Sequence, residues 1–501
     1  MKLYNLFSGI KNFVKNHRIL FIFLVISLLC GIISLWWQFW LIFGIILYII
    51  LVVYFSREFR DLLNIHVVAL SFIILHAIPS TILILQGKIP LDNQESLMLF
   101  SSISIGLIGY TFGVLLLRKL FSFEKKEDTQ LSKKLNALFW LAYKYRYILA
   151  FISGLVILYW GLMPMSMSYK ESVVYRMETP GVIQYFSSLI PLVFSVLIVA
   201  MISIIGDAKK YKKLSWLSYL LITLVILSII AGHRIWIIAL FACLMLVFQP
   251  YLKRRHMLII VILAFFMVFV ISGGVRAARG GESIEENLKN FYEYFVNIKN
   301  MNLTDLMWGW SDFTVPFSTF ITLVKNIPQN INFDYSAPIK DFSLLIPTII
   351  YPERPLPYNQ WYVKTFEPEI FKRGGGRTFY VIGFGYLFAG PVGVFIHLFL
   401  FGVLFEWLRK FFKMIGNAAG LFFYSYFFIA LFSFVRGLGI ASFIKNSLIL
   451  NFLIPIFLLF FFVLFLNSLR PKKYKVKDEN NLYHHTNTLG ARGNLYTGRV
   501  A

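Results

Sequence analysis

The chain is poor in charged side chains, which make up 14% of its 501 residues. Soluble domains carry about 25% charged residues, so this composition argues against a soluble globular protein. Hydrophobic residues reach 58% and the mean hydropathy is +0.72. Both values indicate a protein that crosses a membrane many times.

Cysteine and the common catalytic motifs are also scarce. The two cysteines, Cys30 and Cys243, both lie inside apolar runs, which excludes a disulfide framework and a zinc site of the usual spacing. No H-E-x-x-H, P-loop or G-x-S-x-G motif occurs. These absences argue against a metalloprotease, a nucleotide-driven pump and a serine hydrolase.

Acidic residues are half as frequent as basic ones, 24 against 48, which gives a formal net charge of +24. In a soluble protein this excess would suggest a nucleic-acid partner. Here most of the charge lies next to the ends of apolar runs, where membrane topology and anionic lipid headgroups explain it more simply. We therefore predict membrane lipids, and no nucleic acid, as partners.

The apolar runs predict an all-α integral membrane protein with about twelve transmembrane helices. A membrane-spanning helix needs about 20 apolar residues. The predicted spans are approximately 19–36, 38–55, 66–86, 97–117, 147–164, 182–205, 215–232, 235–250, 257–273, 379–405, 417–435 and 447–468.

Basic residues collect in alternate breaks between these spans. They lie in the N-terminus and near 57, 118–146, 209–213, 253–255, 409–413 and 470–477. The positive-inside rule places these breaks and both termini on the cytosolic side of the membrane. The breaks at about 88–96, 164–181, 232–234, 274–378 and 436–446 then face outward. No internal repeat is evident, which disfavours an inverted-repeat transporter.

The break at 274–378 is the longest, roughly 100 residues against the 2–8 typical of helix connections. It divides the chain into an N-terminal bundle of about nine spans (1–273), a large extracytoplasmic loop (274–378), C-terminal spans (379–470) and a disordered cytoplasmic tail (471–501). Ser283 and Glu286 form a capping box. The following residues predict a short amphipathic helix, which either lies on the membrane surface or packs within a small loop domain.

Several cations lie on the predicted outer side of the membrane, where the positive-inside rule disfavours basic residues, so their presence requires an explanation. We interpret them as ligands for an anion, because arginine matches phosphate oxygens with a planar, two-pronged donor set. Singly, each could instead be a snorkelling anchor or the partner of a loop carboxylate. The candidates are His233, Arg234, Arg276, Arg279, Arg354, Lys372, Arg373, Arg377 and Arg436.

Glu353 is the first candidate for a general base, because it lies in a rigid turn between Pro352 and Arg354. The alternative role is a salt bridge with Arg354 or Arg373. Aromatic residues of the loop, Tyr358 and Trp361 among them, could stack on sugar rings or form an interfacial belt.

Several motifs resemble the Wzy-type O-antigen and capsule polymerases. They are the run from IPTIIYPERP to RGGGRTFYVIGFGYLFAGPVG, the GHR turn at 232–234 and GGVRAARG at 273–280. The resemblance covers the middle and C-terminal half of the chain. It implies an enzyme of the bacterial cytoplasmic membrane, with a GT-C-like arrangement of helices, that joins oligosaccharide repeat units carried on undecaprenyl diphosphate. It implies neither metal, nucleotide nor other cofactor.

The resemblance also implies roles for the candidate residues. The leaving group would be the lipid diphosphate. Arg276 and Arg377 would stabilise its developing charge, with Glu353 as the third catalytic residue. Substrate would be bound by His233, Arg234, Arg279, Arg354, Arg373, Arg436, Tyr358 and Trp361. A flippase and a chain-length regulator of the same pathway would be partners.

Three other readings stay open. An O-antigen ligase has the same architecture and differs only in its acceptor. A polysaccharide flippase or other transporter predicts charges in the middle of spans and a pseudo-repeat. A structural or sensor membrane protein would not require so many outer arginines.

Overall fold

The computed structural model describes residues 37–58, 64–120, 129–165, 190–227, 235–251, 284–300, 311–346, 350–372, 376–435 and 439–469, with the single positions 259 and 274. The described residues are helical and contain no β-strand. The α-helices are α1 (Trp37–Glu58), α2 (Ile65–Leu85), α3 (Asn93–Leu120), α4 (Gln130–Lys144), α5 (Arg146–Met165), α6 (Ile190–Tyr211), α7 (Trp216–Leu227), α8 (Ile235–Phe248), α9 (Ile284–Asn297), α10 (Ser311–Asn326), α11 (Ala337–Ser343), α12 (Tyr358–Phe366), α13 (Pro368–Lys372), α14 (Val381–Ile415), α15 (Asn417–Tyr426), α16 (Phe428–Val435), α17 (Ile440–Phe443) and α18 (Ile454–Ser468). A π-helix, Ile444–Leu453, joins α17 to α18.

Several of these helices confirm the predicted class of all-α membrane protein. Within the described residues, six stretches are long and apolar enough to cross a membrane: Trp37–Ser56, Ile65–Leu85, Asn93–Leu120, Val381–Ile415, Asn417–Val435 and Ile440–Ser468. Three shorter apolar stretches are Arg146–Leu155, Trp216–Ile226 and Ile238–Phe248. The predicted spans 19–36 and 257–273 (apart from the single position 259), the first part of 182–205 and the end of 215–232 lie outside the described residues.

Three of the basic breaks meet at one end of the bundle, here called the basic end. Lys410, near the end of α14, donates to the carbonyl of Leu117 in the last turn of α3 (3.1 Å). The hydroxyl of Tyr143 in α4 donates to Asp207 near the end of α6 (2.7 Å). The segment 118–146, predicted only as a basic loop, therefore contains helix α4, which packs between the ends of membrane helices.

Three of the breaks predicted to face outward meet at the other end, here called the loop end. Lys325, at the end of α10, donates to the carbonyl of Pro90 just before α3 (2.7 Å). Asp341 in α11 accepts from the backbone of Ala441 in α17 (2.7 Å). The segments 88–96, 274–378 and 436–446 therefore share one end, and α3 separates them from the basic end.

Helix α14 is not the single rod that the predicted span 379–405 implied. Ala389 and Gly390 leave the helical conformation, with Gly390 at φ 60°, and Pro391 follows. A Cβ on Gly385 would lie 2.6 Å from the Cα of Val394, although residues nine apart in a straight helix are about 13 Å apart. The first two turns of α14 therefore fold back on the helix that begins at Pro391.

The loop completes this break. Pro391 has no N–H, so the carbonyl of Leu387 loses its helical partner. The backbone N–H of Asp334 in the loop donates to that carbonyl instead (2.9 Å). The loop thus supplies the hydrogen bond that the break in α14 removes, and the same bond satisfies the N–H of the loop residue.

The remainder of α14 packs in close contact with α3. A Cβ on Gly109 would lie 2.5 Å from the carbonyl oxygen of Phe395, and one on Gly113 would lie 2.1 Å from that of Phe399. Small residues at this spacing let two membrane helices approach to backbone contact. The pair α3 and α14 forms the centre of the described bundle.

Helix α9 lies where a short amphipathic helix was predicted, and its side chains Tyr292 and Val296 are exposed. Whether it lies on the membrane surface or packs within a loop domain stays a prediction.

Candidate functional site

A cleft of about 490 Å³ opens at the loop end, between the loop and the last membrane helices. Its volume is in the range of ordinary ligand sites. The loop contributes Leu344, Arg354 and residues 357–360 and 376–378. The membrane helices contribute Ser433, Gly439, Ser442, residues 445–447 and Asn451. The cleft therefore joins segments that are about 100 residues apart in the sequence.

Three cations line the cleft, and its described lining contains no carboxylate. Arg354 donates to the carbonyls of Leu344 (3.4 Å) and Ile346 (3.1 Å). Lys445 also donates to the carbonyl of Leu344, so backbone oxygens hold both side chains. A carbonyl leaves the positive charge uncompensated, and a concave site with this charge attracts anions.

Arg377 is the third cation. Its Nε donates to Glu367 at 2.7 Å, and the side chain remains 39% exposed. Its backbone N–H donates to the carbonyl of Asn359 (3.3 Å), which fixes the chain on the wall of the cleft. One carboxylate thus accompanies three cations at this site.

The π-helix contributes a polar wall to an apolar span. The stretch Ile440–Ser468 is long and apolar enough to cross a membrane, yet Lys445, Asn446, Ser447 and Asn451 all line the cleft. Polar residues at such positions mark substrate or ion sites, and π-helical turns are frequent at functional sites. Lys445 and Asn446 were missed because they lie in the break 436–446, which was predicted to be a loop. Ser447 and Asn451 lie inside the predicted span 447–468, where polar residues within an apolar run could have revealed them.

Asp341 fixes the loop to the start of the last helices. Its carboxylate is 2% exposed. It accepts from the backbone N–H of Ala441 (2.7 Å) and of Ser442 (3.3 Å), and from the Ser442 hydroxyl (2.5 Å). A Cβ on Gly439 would lie 2.3 Å from this carboxylate, so glycine is required there. Burial raises the pKa of Asp341, against the lowering effect of these donors.

The two aromatic candidates lie close together, but only one reaches the cleft. Tyr358 lines it, packs against Phe384 (ring centroids 4.9 Å) and donates to the carbonyl of Ala337 (3.0 Å). Burial raises the pKa of Tyr358. Trp361 is half-buried and packs 6.2 Å from the Tyr358 ring, behind the cleft wall.

The structure also locates the carboxylate that we predicted as a base. Glu353 is exposed, in the turn next to Arg354, and does not line the cleft. Its role as a base stays a prediction. The carboxylate bonded to a cleft cation is Glu367.

The other predicted site residues lie outside the described part of the chain. In the sequence, Arg373 precedes the lining residue Gly376 by three positions, and Arg436 follows Ser433 by three. The set outside the described residues is His233, Arg234, Arg276, Arg279, Arg373 and Arg436. Within the described residues, no group of three His, Cys, Asp or Glu side chains could hold a metal ion.

A second polar cluster, also missed by sequence reasoning, is buried towards the basic end. Glu406 in α14 accepts two bonds from Arg409 (2.6 and 2.7 Å) and one from His66 in α2 (2.8 Å). The other ring nitrogen of His66 lies 2.9 Å from the hydroxyl of Tyr110 in α3. These bonds join the three central helices α2, α3 and α14.

Fold and cleft together define an all-α membrane protein with a cation-lined cleft at one end of its helices. A family profile, described as a domain of unknown function (DUF8712), matches residues 142–471, which include the loop and every described residue of the cleft. The chain belongs to this family. No curated protein and no solved structure matches it.

Proposed function

We propose that this protein is a polysaccharide polymerase that joins oligosaccharide repeat units carried on undecaprenyl diphosphate. The observation that carries the proposal is the cleft. Arg354, Arg377 and Lys445 line it together, and within the part of the chain that the structure describes Glu367 is the one carboxylate bonded to them. A lipid-linked diphosphate would supply the missing negative charge at the level where the membrane helices begin.

The arrangement of the helix ends supports an outward-facing cleft. Arg118 and Lys410 lie at the basic end, opposite the cleft. The Lys410 side chain donates to the backbone carbonyl of Arg118 (3.4 Å). By the positive-inside rule this end is cytosolic. In our proposal the chain has about twelve spans, a GT-C-like arrangement and a loop at 274–378 on the extracytoplasmic side of a bacterial cytoplasmic membrane.

The reaction is a glycosyl transfer. An acceptor hydroxyl oxygen bonds to the anomeric carbon of the donor while the bond from that carbon to the diphosphate breaks. The diphosphate leaves with the electron pair, and the hydroxyl proton passes to a carboxylate, for which Glu353 is our candidate. The cleft cations stabilise the charge that develops on the leaving diphosphate.

The experiment is complementation of a deletion strain, read as the length ladder of surface glycan on a gel. The proposal expects the deletion to accumulate single exported repeat units, and Arg377→Ala to lower polymer formation by about 10²- to 10³-fold, as for the loss of one charge-stabilising donor. Lys372→Ala is the matched control, because Lys372 is an exposed loop cation paired with Glu369 (2.8 Å) and lies outside the cleft.

Other outcomes would replace the proposal. A normal ladder that stays on the lipid carrier would indicate a ligase, and repeat units trapped on the cytosolic face would indicate a flippase. Full polymer formation with Arg377→Ala would refute the proposal that this cleft binds the diphosphate.

A further inference from the structure

The π-helix presents to the cleft a set of neutral polar groups that the binding of a diphosphate does not require. The hydroxyl of Ser447 lies on the cleft, is 1% exposed and has no hydrogen-bond partner within the described residues. A buried hydroxyl without a partner is destabilising, and buried polar groups are normally satisfied. Because Ser447 also lines the cleft, a ligand bound there would supply the missing partner.

The geometry of the π-helix adds two amides to this hydroxyl. An α-helix turns about 100° per residue, which would place residues 446 and 451 on different faces, about 140° apart. A π-helix closes its hydrogen bonds between residues five apart, so Asn446 and Asn451 lie on the same face. Both line the cleft together with Ser447.

The chemistry of this face differs from that of the cationic wall. Amide and hydroxyl groups both donate and accept hydrogen bonds, as do the hydroxyl groups of a sugar. The cations Arg354, Arg377 and Lys445 can only donate, and they carry the charge that suits a phosphate. The two sets line one cleft, so a single ligand with a neutral polyhydroxyl part and an anionic part would satisfy both.

We propose that Asn446, Ser447 and Asn451 form a sugar subsite, which binds the sugar ring next to the phosphate held by the three cations. This inference deepens the proposed function and rests on it for the identity of the phosphate. It makes the π-helix the element that determines which sugar the cleft accepts.

The test measures binding to the purified full-length chain in nanodiscs, with two probes used separately. The probes are inorganic pyrophosphate, detected by phosphorus NMR, and a panel of methyl glycosides of glucose, galactose and N-acetylglucosamine, detected by saturation-transfer NMR. The double variant Asn446→Ala/Asn451→Ala should weaken binding of the preferred glycoside about tenfold, since a pair of hydrogen bonds is lost, and should leave pyrophosphate binding within twofold. Arg377→Ala should show the reverse pattern.

Ser447→Ala is a milder variant that removes one hydroxyl and should also weaken glycoside binding selectively. Its matched control is Ser102→Ala, because Ser102 in α3 is likewise buried, with a hydroxyl that has no hydrogen-bond partner within the described residues, and lies outside the cleft. Glycoside binding that is absent, unchanged in these variants, or lost in parallel with pyrophosphate binding would overturn the sugar subsite.

The two proposals fail in different ways. Selective glycoside loss together with an unchanged glycan ladder in the deletion strain would refute the polymerase and leave the subsite in place. Loss of polymer in the deletion strain with unaltered glycoside binding in the variants would refute the subsite alone.

Discussion

Removing the Asp341 carboxylate should release the loop from the last membrane helices. Asp341→Ala leaves the buried N–H groups of Ala441 and Ser442 without their acceptor. The Ser442 hydroxyl can rotate to another acceptor, so we count only the two backbone donors. A buried donor left unsatisfied costs about 1–3 kcal/mol, so two donors cost about 2–6 kcal/mol. The ratio of docked to undocked loop should fall by roughly 30-fold to 2 × 10⁴-fold.

Hydrogen exchange of the full chain in nanodiscs measures this ratio directly. Peptides covering residues 439–453 should exchange faster in Asp341→Ala by the factor above, while peptides of α3 should not change. Asp341→Asn should have a smaller effect, because the site already disfavours the charged form, as the raised pKa shows, and one side-chain oxygen remains to accept.

Asp334→Ala is the matched control. Asp334 is also a loop carboxylate bonded to a serine, with Lys340 as its ion-pair partner (2.9 Å), but its contacts are local and more exposed. An exposed ion pair of this kind contributes about 0–1 kcal/mol to the stability of the folded protein. Equal acceleration in the Asp334 and Asp341 variants, or none in either, would refute the reasoning that buried donors fix this junction.

Two further predictions concern the centre of the bundle. Glu406→Ala should destabilise the protein by about 3–5 kcal/mol, because it leaves cations close together in a buried site. Thermal unfolding in nanodiscs measures this loss of stability. An unchanged unfolding midpoint would show that the Glu406 cluster does not stabilise the bundle. Gly113→Val should separate α3 from α14, because even a Cβ there would meet the Phe399 carbonyl at 2.1 Å; a disulfide engineered across the α3–α14 contact should form less readily in this variant, and equal formation would contradict the close approach.

Hydropathy and charge predicted the parts of the fold that depend on local composition. Apolar runs located the described membrane helices to within a few residues at most of their ends, since desolvation of about 20 residues determines a span. Charge alternation correctly grouped the break at 118–146 with that at 409–413, because the same charge bias acts on every connection. Hydropathy and charge are both properties of a short segment of sequence, so they can be evaluated without knowing which distant segments meet in the fold.

The features missed by the predictions depend on contacts between distant segments. The fold-back of α14 needs Asp334 to satisfy Leu387, 53 positions later. The junction at Asp341 needs partners 100 positions away. Lys445 was counted with a loop because nothing local distinguishes a short outer turn from a helix whose first turns line a cleft.

These distant contacts also determine how the cleft can act. Bonds to backbone groups hold the elements around two of the cations. The N–H of Asp334 bonds to α14, the carboxylate of Asp341 accepts from backbone N–H groups of α17, and the carbonyl of Leu344 accepts from both Arg354 and Lys445. Arg377 is held by its ion pair with Glu367. All these bonds are satisfied without a ligand, so the positions of the cations do not depend on its charge. A site fixed in this way loses little conformational entropy when an anion binds. The folding free energy of the protein offsets the repulsion between the cleft cations. Their attraction for an anion can therefore stabilise the negative charge that develops on a leaving group.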